Sequence, residues 1–266
     1  MKKIIALLLT LMFAVTCFAA CGGDSSDATN DNATNDEASK QVVIATSPDF
    51  PPFEYLENGE VVGIEIDILK LICEELGKEL VIKQMNFDSV LPGIIAGKYD
   101  VGVSGITITD ARKKNSLFTA PYYEAAQAIV VVEGSAIATK ADLEGKKISC
   151  QTGTTAEAYC LENGYTISAF ESNPDAQMAL TNNKVDAWVI DNLTAIAMVD
   201  DYNAKNDTKL VILDEYMTTE PYGFALAFGN EALVAEMDAL INKWVADGTI
   251  EAIFTEYGET YEAPKA

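Results

Sequence analysis

Short apolar runs that suit β-strands alternate in this sequence with segments of helical periodicity. Residues 42–46 are β-rich, and apolar side chains then recur at helical spacing from Ile64 to Leu76, where Gly77 ends the pattern. Residues 80–85 are again strand-like. Strands that alternate with helices indicate parallel sheets covered on both faces, so the sequence predicts an α/β fold.

The same alternation begins again near residue 147, after an apolar, strand-like run at 126–132. Further strand-like runs occupy residues 147–151, 166–170, 187–191, 210–213 and 222–228, and helical segments lie between and after them. Two α/β blocks of about 90 residues each are therefore expected. Because ligands of open α/β sheets bind beyond the carboxyl ends of the strands, polar residues that follow these runs are the candidate site residues.

The charge of the chain excludes several classes of function. It has 41 acidic and 18 basic side chains, a formal net charge of −23. Such an acidic surface repels phosphate backbones, so nucleic acid is not an expected partner. The sequence has no histidine, which removes the commonest general base and metal ligand, and we expect neither a cofactor nor a metal site.

The first 40 residues are predicted to lie outside the folded domain. Residues 1–20 have a charged start and then an apolar run, the pattern of a secretory signal peptide. A short membrane-spanning helix is the alternative. The sequence Phe-Ala-Ala-Cys-Gly around Cys21 resembles a bacterial lipobox, whose cysteine is lipidated. Residues 22–40 are small, polar and acidic, as expected for a disordered tether between that cysteine and the domain. The domain is thus expected to be extracytoplasmic, lipid-anchored to the outer face of the cell membrane or periplasmic.

Three cysteines follow the tether. Their odd number leaves at least one thiol unpaired. Cys73 falls on the apolar face of a predicted helix and is interpreted as a core residue. A disulfide between Cys150 and Cys160 is one alternative, and two free thiols are the other.

Three stretches of the sequence resemble known family motifs. From Gly63 the chain reads GIEIDILKLICEEL, which resembles the signature of the bacterial extracellular solute-binding proteins of family 3, the polar amino acid binders. The stretch ATSPDFPPFEY from Ala45 resembles that family's first binding loop, and GITITDARKK from Gly105 resembles its carboxylate-binding loop. The similarity extends over residues 42–257 in order.

The resemblance implies a particular fold. This is the periplasmic-binding-protein type II fold, in which two lobes joined by two hinge strands close over a ligand cleft by hinge motion. The first lobe would comprise residues 41–131 and 223–266, and the second lobe residues 132–222. The chain would cross between the lobes near residues 130–133 and 222–224.

The resemblance also assigns the two ends of an amino acid ligand. Arg112, the only arginine, would bind the ligand carboxylate, because a guanidinium offers two parallel donors; an exposed surface arginine is the alternative. Asp191, at the end of a strand-like run, would bind the ammonium group together with Ser104, or else cap the next helix. The donors expected to complete the carboxylate shell are Ser104, Gly105, Thr107, Thr154 and Thr155, the last two at a predicted helix start.

The ligand side chain would contact a separate set of residues. Phe50 and Phe87 match the family's aromatic positions that sandwich it, with core packing as the alternative. Ser47, Asp49 and Gln151 lie where specificity is read in the family. Many basic-amino-acid binders have an aspartate at the position of Ser47, and Asp49, two residues away, is the alternative carboxylate. Gln151 and the stretch YEAAQ at 123–127 resemble arginine and lysine binders, which favours a polar or cationic amino acid.

The predicted function is therefore extracytoplasmic binding of a free L-amino acid by a monomer that delivers it to an ABC-type permease. An enzyme on the same fold, similar to cyclohexadienyl dehydratases, is one alternative, with Glu54 or Asp49 as proton donor. An adhesin or a sensory binding protein is another.

Overall fold

The computed structural model describes residues 40–265, so the predicted signal peptide, Cys21 and almost all of the predicted tether lie outside the described residues. The strands in chain order are β1 (Gln41–Thr46), β2 (Asp49–Phe50), β3 (Glu54–Glu57), β4 (Glu60–Val62), β5 (Glu79–Gln84), β6 (Val101–Gly102), β7 (Leu117–Phe118), β8 (Tyr123–Ala125), β9 (Gln127–Val132), β10 (Lys147–Gln151), β11 (Thr166–Phe170), β12 (Ala187–Asp191), β13 (Leu210–Ile212), β14 (Glu220–Tyr222) and β15 (Ala225–Leu226). The α-helices are α1 (Ile64–Glu75), α2 (Phe87–Ile95), α3 (Asp110–Lys113), α4 (Thr155–Glu162), α5 (Asn173–Thr181), α6 (Asn192–Lys205), α7 (Glu231–Asp247) and α8 (Thr249–Glu256), with a 3₁₀ turn at Lys140–Leu143.

The described chain builds two five-stranded sheets. The first has the order β5-β1-β6-β15-β7 and the second the order β11-β10-β12-β9-β13. In each sheet the strands joined through helices are parallel, as the alternation predicts. In contrast, β9 and β15 run antiparallel to their neighbours. The reason is that the chain enters both strands directly from the other half of the molecule, without a helical crossover.

A two-stranded antiparallel ladder, β8 with β14, links the two sheets. The chain leaves the first sheet after β7, passes through β8 and enters the second sheet at β9; it returns through β14 to β15. The first crossing thus precedes Gln127, whereas it was expected at residues 130–133 with residues up to 131 in the first lobe. All of β9 pairs with β12 and β13, so it belongs to the second sheet. The sequence did not predict this, because an apolar run does not show which sheet its backbone hydrogen bonds will join.

The C-terminal segment packs on the first sheet. Met237, Ile241 and Trp244 of α7 and Phe254 of α8 share one buried cluster with Ile44 of β1. The tail then follows the linking ladder, where the Glu124 N–H donates to the Glu262 carbonyl oxygen at 2.9 Å. The second sheet has two separate apolar clusters, one on each face, that contain Ile148 and Trp188. The two-lobed fold expected from the resemblance therefore has a core for each lobe.

Cys73, Cys150 and Cys160 are free and buried, so Cys150 and Cys160 form no disulfide in this structure.

Among residues 40–265, no helix combines the length and the apolar character needed to span a membrane.

Candidate functional site

A cavity lies between the two lobes, at the carboxyl ends of strands from both sheets. The space between its lining atoms, counted together with the open solvent at its mouth, is about 430 Å³. It is lined by Asp49, Phe50, Phe87, Ser104, Gly105, Thr107, Arg112, Gln151, Thr154, Thr155, Ala156, Asn173, Val189, Ile190 and Asp191. Gln151 ends β10, Asp191 ends β12 and Ser104 follows β6, so the lining residues sit where open α/β sheets bind ligands.

The structure brings every predicted ligand-contact residue to this cavity except Ser47. The Ser47 hydroxyl donates to Oδ1 of Asp49 at 3.0 Å, and its N–H donates to Oγ of Ser104 at 3.1 Å. Ser47 is buried and lines a neighbouring surface depression instead. Because the hydroxyl and the N–H of Ser47 are hydrogen-bonded to Asp49 and Ser104, Ser47 positions these two residues.

Arg112 lies on the short helix α3, whose first turn is capped by the Thr109 side chain. Its guanidinium donates to the Thr107 carbonyl oxygen at 2.9 Å and, across the cleft, to the Gly153 carbonyl oxygen at 3.2 Å. The guanidinium carbon is 5.8 Å from the centroid of the Phe87 ring, within the range of a cation–π contact. Burial lowers the pKa of Arg112, against the opposing influence of the carboxylates of Glu220 and Asp191. Arg112 is thus directed into the cleft and is not a solvated surface residue.

Asp191 is 9% exposed and accepts a hydrogen bond on Oδ2 from the Tyr222 hydroxyl. Its side chain makes no capping hydrogen bond to α6, which excludes a role as a helix cap alone. Burial, and then the negative charge of Glu220, raise the pKa of Asp191 to about 7, while Tyr222 and Arg112 act in the opposite direction. Tyr222, on the linking strand β14, was not predicted from the sequence.

Thr154 and Thr155 begin helix α4 at the second lobe's side of the cavity. Thr154 is the N-cap: its Oγ1 accepts from the Glu157 N–H at 3.2 Å and donates to the Gln151 carbonyl oxygen at 2.7 Å. The Thr155 Oγ1 accepts from Nε2 of Gln127 at 3.0 Å and lies 3.5 Å from Oγ1 of Thr107 in the first lobe. The helix N-terminus therefore borders the cavity close to Thr107 and adds its partial positive charge there.

Asp49 connects the lobes at another part of the cavity. Its Oδ2 accepts from Nε2 of Gln151 at 3.0 Å and from the Asn173 N–H at 2.8 Å. The Asn173 side chain in turn donates to Oε1 of Gln151 at 3.1 Å. Burial raises the pKa of Asp49, and these donors oppose the rise. Asn173 was not predicted from the sequence; the Ser172-Asn173-Pro174 start of α5, with Ser172 as its N-cap, was the available signal.

The two aromatic residues differ in their surroundings. Phe87 begins α2 and lies under the Arg112 guanidinium. Phe50 packs against buried clusters of both lobes and stacks on Phe53 with ring centroids 5.7 Å apart, so the core-packing interpretation also holds for it. Gly105 has φ +53°, and a Cβ there would lie 2.6 Å from the Phe50 ring. Glycine at this position therefore leaves room for Phe50 at the cavity.

Two expected ligand donors already have protein partners. The Ser104 hydroxyl donates to Oε1 of Glu54 at 2.9 Å, and the Gly105 N–H donates to Oε2 of Glu65 at 2.9 Å. The sequence could not show this, because both partners are 40 or more positions away along the chain. Ser104 and Gly105 border the cavity, but these two donors face away from it, and Glu54 itself is not a lining residue.

Comparisons with known proteins agree with this geometry. The sequence profile of the bacterial extracellular solute-binding proteins, family 3, matches residues 42–260. The ABC transporter arginine-binding protein 1 of Escherichia coli (strain K12) is 31% identical over 228 residues, which cover 83% of this chain and 91% of that protein. The ABC transporter glutamine-binding protein GlnH of Bacillus subtilis (strain 168) is 30% identical over 271 residues, covering 97% of each.

A solved structure has the same fold. The arginine-, lysine-, histidine-binding protein ArtJ from Geobacillus stearothermophilus superimposes with a TM-score of 0.77 at 33% identity, covering 85% of this chain and 97% of that one. The profile match, the identities and the two-lobed structure with its polar cleft lead to one assignment. This chain belongs to the bacterial extracellular solute-binding proteins of family 3.

Proposed function

We propose that this protein is an extracytoplasmic receptor that binds one free L-amino acid in the cleft and delivers it to an ABC-type importer. The observation that carries the proposal is the presence of Arg112 from the first lobe and Asp191 from the second lobe in one cavity. A zwitterion that contacts both residues ties the lobes together, which favours the closed cleft.

Arg112 suits the ligand carboxylate. A guanidinium has five N–H donors, and here two of its nitrogens contact carbonyl oxygens. The remaining donors can form the parallel pair that matches a carboxylate. The N-terminus of α4, marked by Thr154 and Thr155, supports the same negative charge.

Asp191 suits the ligand ammonium group. It is a buried carboxylate with one hydroxyl partner, so it has capacity to accept further hydrogen bonds. An ammonium group beside it would stabilise the charged form, which burial disfavours in the unliganded protein.

The polar group formed by Asp49, Gln151 and Asn173 suits a polar ligand side chain, and the charges favour a cationic one. One positive residue, Arg112, and two negative residues, Asp49 and Asp191, line the cavity. A neutral zwitterion leaves the Asp49 charge uncompensated, whereas a side chain such as that of arginine or lysine balances it. The relatives are named for both cationic and neutral amino acids, so Asp49 is the feature that favours the first class.

A thermal-shift panel tests the proposal on the protein from Lys40 onward. A ligand at 100 times its dissociation constant adds about 2.7 kcal/mol to the free energy of unfolding. We expect L-arginine or L-lysine to raise the melting temperature, and their D-isomers, carboxamides and N-acetyl derivatives to raise it much less. The carboxamide tests the Arg112 contact and the N-acetyl form the Asp191 contact. No shift with any of the common amino acids would contradict the proposal.

The membrane anchor is a separate part of the proposal. We propose that Cys21 carries a lipid and that residues 22–40 hold the domain away from the membrane. The Cys21→Ala variant is expected to be recovered in the soluble fraction, whereas the unmodified chain is recovered with membranes. Recovery of both forms with membranes would contradict lipidation at Cys21.

A further inference from the structure

Two carboxyl groups are buried side by side beneath the cavity. Glu54 and Glu65 are both 0% exposed, and their side chains accept hydrogen bonds from the adjacent residues Ser104 and Gly105. The start of α1 brings them together, because the Ile64 and Glu65 N–H groups donate to the Pro52 and Phe53 carbonyl oxygens. Gly63 allows this close approach, since a Cβ there would lie 2.2 Å from the Phe53 oxygen.

The two carboxyl groups have unequal hydrogen bonding. Glu65 accepts from the Gly105 N–H on one oxygen and from the Tyr122 hydroxyl on the other. Glu54 accepts from the Ser104 hydroxyl on Oε1, while its Oε2 is buried and, among the residues described, has no donor partner. The charges that act on Glu54 are those of Glu65 and Asp49, both acidic.

Two adjacent buried negative charges are too costly to persist without a cation, and such a pair retains a proton instead. Two donors stabilise Glu65 as a carboxylate, and the unpartnered oxygen of Glu54 is the atom left to carry the proton. We propose that Glu54 is protonated on Oε2 at neutral pH and donates to Glu65, so that the pair acts as one clamp on the Ser104–Gly105 turn at the cavity. The two glutamates are positioning residues, because neither lines the cavity.

Hydrogen bonds from residues that do not line the cavity hold the Ser104–Gly105 turn in position. The Ser104 hydroxyl donates to Glu54 and accepts from the Ser47 N–H, and the Gly105 N–H is held by Glu65. Desolvation and the neighbouring carboxylate raise the pKa of Glu54 well above its ordinary value. The other ionisable groups around the pair are Tyr122 and Asp49, with Tyr123 beside Tyr122. Burial raises the pKa of Tyr122, which keeps its hydroxyl protonated as the donor to Glu65.

Infrared spectroscopy of the unliganded protein, with carboxyl-labelled glutamate, tests the shared proton directly. A protonated-carboxyl band that moves with the glutamate label is expected at neutral pH and should be absent from Glu54→Gln; a band from protonated Asp191, whose pKa is about 7, does not move with that label. Absence of the band, or its persistence in Glu54→Gln, would overturn the proposal. This measurement needs no ligand, so its result is independent of the proposed function.

Matched variants test the positioning role. Glutamine at 54 can replace the protonated acid, with its carbonyl toward Ser104 and its NH₂ toward Glu65. In Glu65→Gln, by contrast, the new NH₂ group replaces a carboxylate oxygen that accepts a hydrogen bond. It therefore faces another donor, either the Gly105 N–H or the Tyr122 O–H. With L-arginine as the probe, which rests on the proposed function, we expect Glu54→Gln to stay within about threefold of the parent affinity and Glu65→Gln to weaken binding by about tenfold or more. The exposed Glu75→Gln on the same helix is the control. Equal losses in both buried variants would overturn the assignment of the proton to Glu54.

The pH dependence of stability distinguishes the effect of a proton on Glu54 from an effect of side-chain packing alone. A carboxyl whose pKa is raised by folding binds a proton in the folded state that the unfolded chain has lost, so its contribution declines as pH rises through the folded pKa. Glu54→Gln lacks this titration. The difference in unfolding midpoint between Glu54→Gln and the parent protein should therefore shift in favour of the variant as the pH rises from about 5 to about 8. Asp49, Tyr122 and Tyr123 are present in both proteins, so they do not account for this difference. A constant difference over that range would contradict a proton held by Glu54.

Discussion

Oδ2 of Asp49 lies 2.8 Å from the backbone nitrogen of Asn173, so one carboxylate at the cavity joins the first lobe to the start of helix α5 in the second. The same oxygen accepts from Nε2 of Gln151 at 3.0 Å. A residue that borders the cavity and also bridges the lobes can link recognition of a ligand side chain to closure of the cleft.

The Asp49→Asn variant is expected to bind cationic amino acids more weakly by about 2 kcal/mol, because it removes a half-buried, hydrogen-bonded charge. Binding of neutral amino acids should change less, and calorimetry with L-arginine and L-glutamine measures the difference. Glu171→Gln is the control, since Glu171 accepts an exposed inter-lobe hydrogen bond from Asn86 at 3.2 Å. Equal losses for both ligands would show that Asp49 acts on closure and not on side-chain charge.

The Arg112→Lys variant keeps the positive charge but loses the planar pair of donors. Affinity for the amino acid should fall by at least about 2 kcal/mol, because lysine cannot form the parallel carboxylate contact and leaves the Thr107 or Gly153 carbonyl contact unmade. Lys114→Ala, an exposed neighbour in the sequence, controls for the change in surface charge. Unchanged affinity in calorimetry would remove Arg112 from the proposed role.

Ligand affinity should depend on pH through Asp191. Its pKa of about 7 in the unliganded protein means that below pH 7 the group must lose a proton before it can pair with an ammonium ion. Affinity should therefore decline by up to about tenfold per pH unit below 7, with release of a proton on binding. Calorimetry in buffers of different ionisation enthalpy measures that proton. A flat profile between pH 8 and pH 6 would contradict this role of Asp191.

The Tyr222→Phe variant removes the hydroxyl that donates to Asp191 and leaves the ring in place. Because that hydrogen bond lowers the pKa of Asp191, its loss should raise this pKa further and move the decline in affinity to higher pH. The Tyr261→Phe variant is the control, since its hydroxyl donates to the Tyr122 carbonyl oxygen at 2.8 Å and not to Asp191. Identical pH profiles for both variants would exclude a positioning role for Tyr222.

The Gly105→Ala variant tests the contact between the turn and Phe50. Both the positive φ and the 2.6 Å approach to the ring disfavour alanine, so stability should fall by about 2 kcal/mol and ligand affinity should fall as well. Gly77 has φ +63°, and a methyl group there would have no neighbouring atom within 4 Å, which makes Gly77→Ala the matched control for backbone strain alone. Denaturant unfolding and calorimetry separate the two effects. Similar losses of affinity in both variants would argue against a specific contact with Phe50.

Local patterns were sufficient to locate most elements. The predicted strands at 42–46 and 187–191 correspond to β1 and β12, and the predicted helix at 64–76 corresponds to α1. Burial follows periodicity in these segments, so the apolar spacing reveals them. Helix α2 has no such clear pattern, since it is nine residues long and contains Pro92 in its interior. The small sheet β2-β3-β4 was not predicted, because its strands are too short and too exposed to have a clear alternation.

The sequence by itself determined the α/β class, the family resemblance and the residues that gather at the cavity, because periodicity and motifs are local properties of the chain. The tertiary structure decided which polar groups are available there. Ser47, the Ser104 hydroxyl and the Gly105 N–H have partners within the protein, while Asn173 and Tyr222 join the site from distant elements. A hydrogen-bond donor can serve a ligand only if no buried acceptor has claimed it, and those acceptors come from residues far away in the sequence.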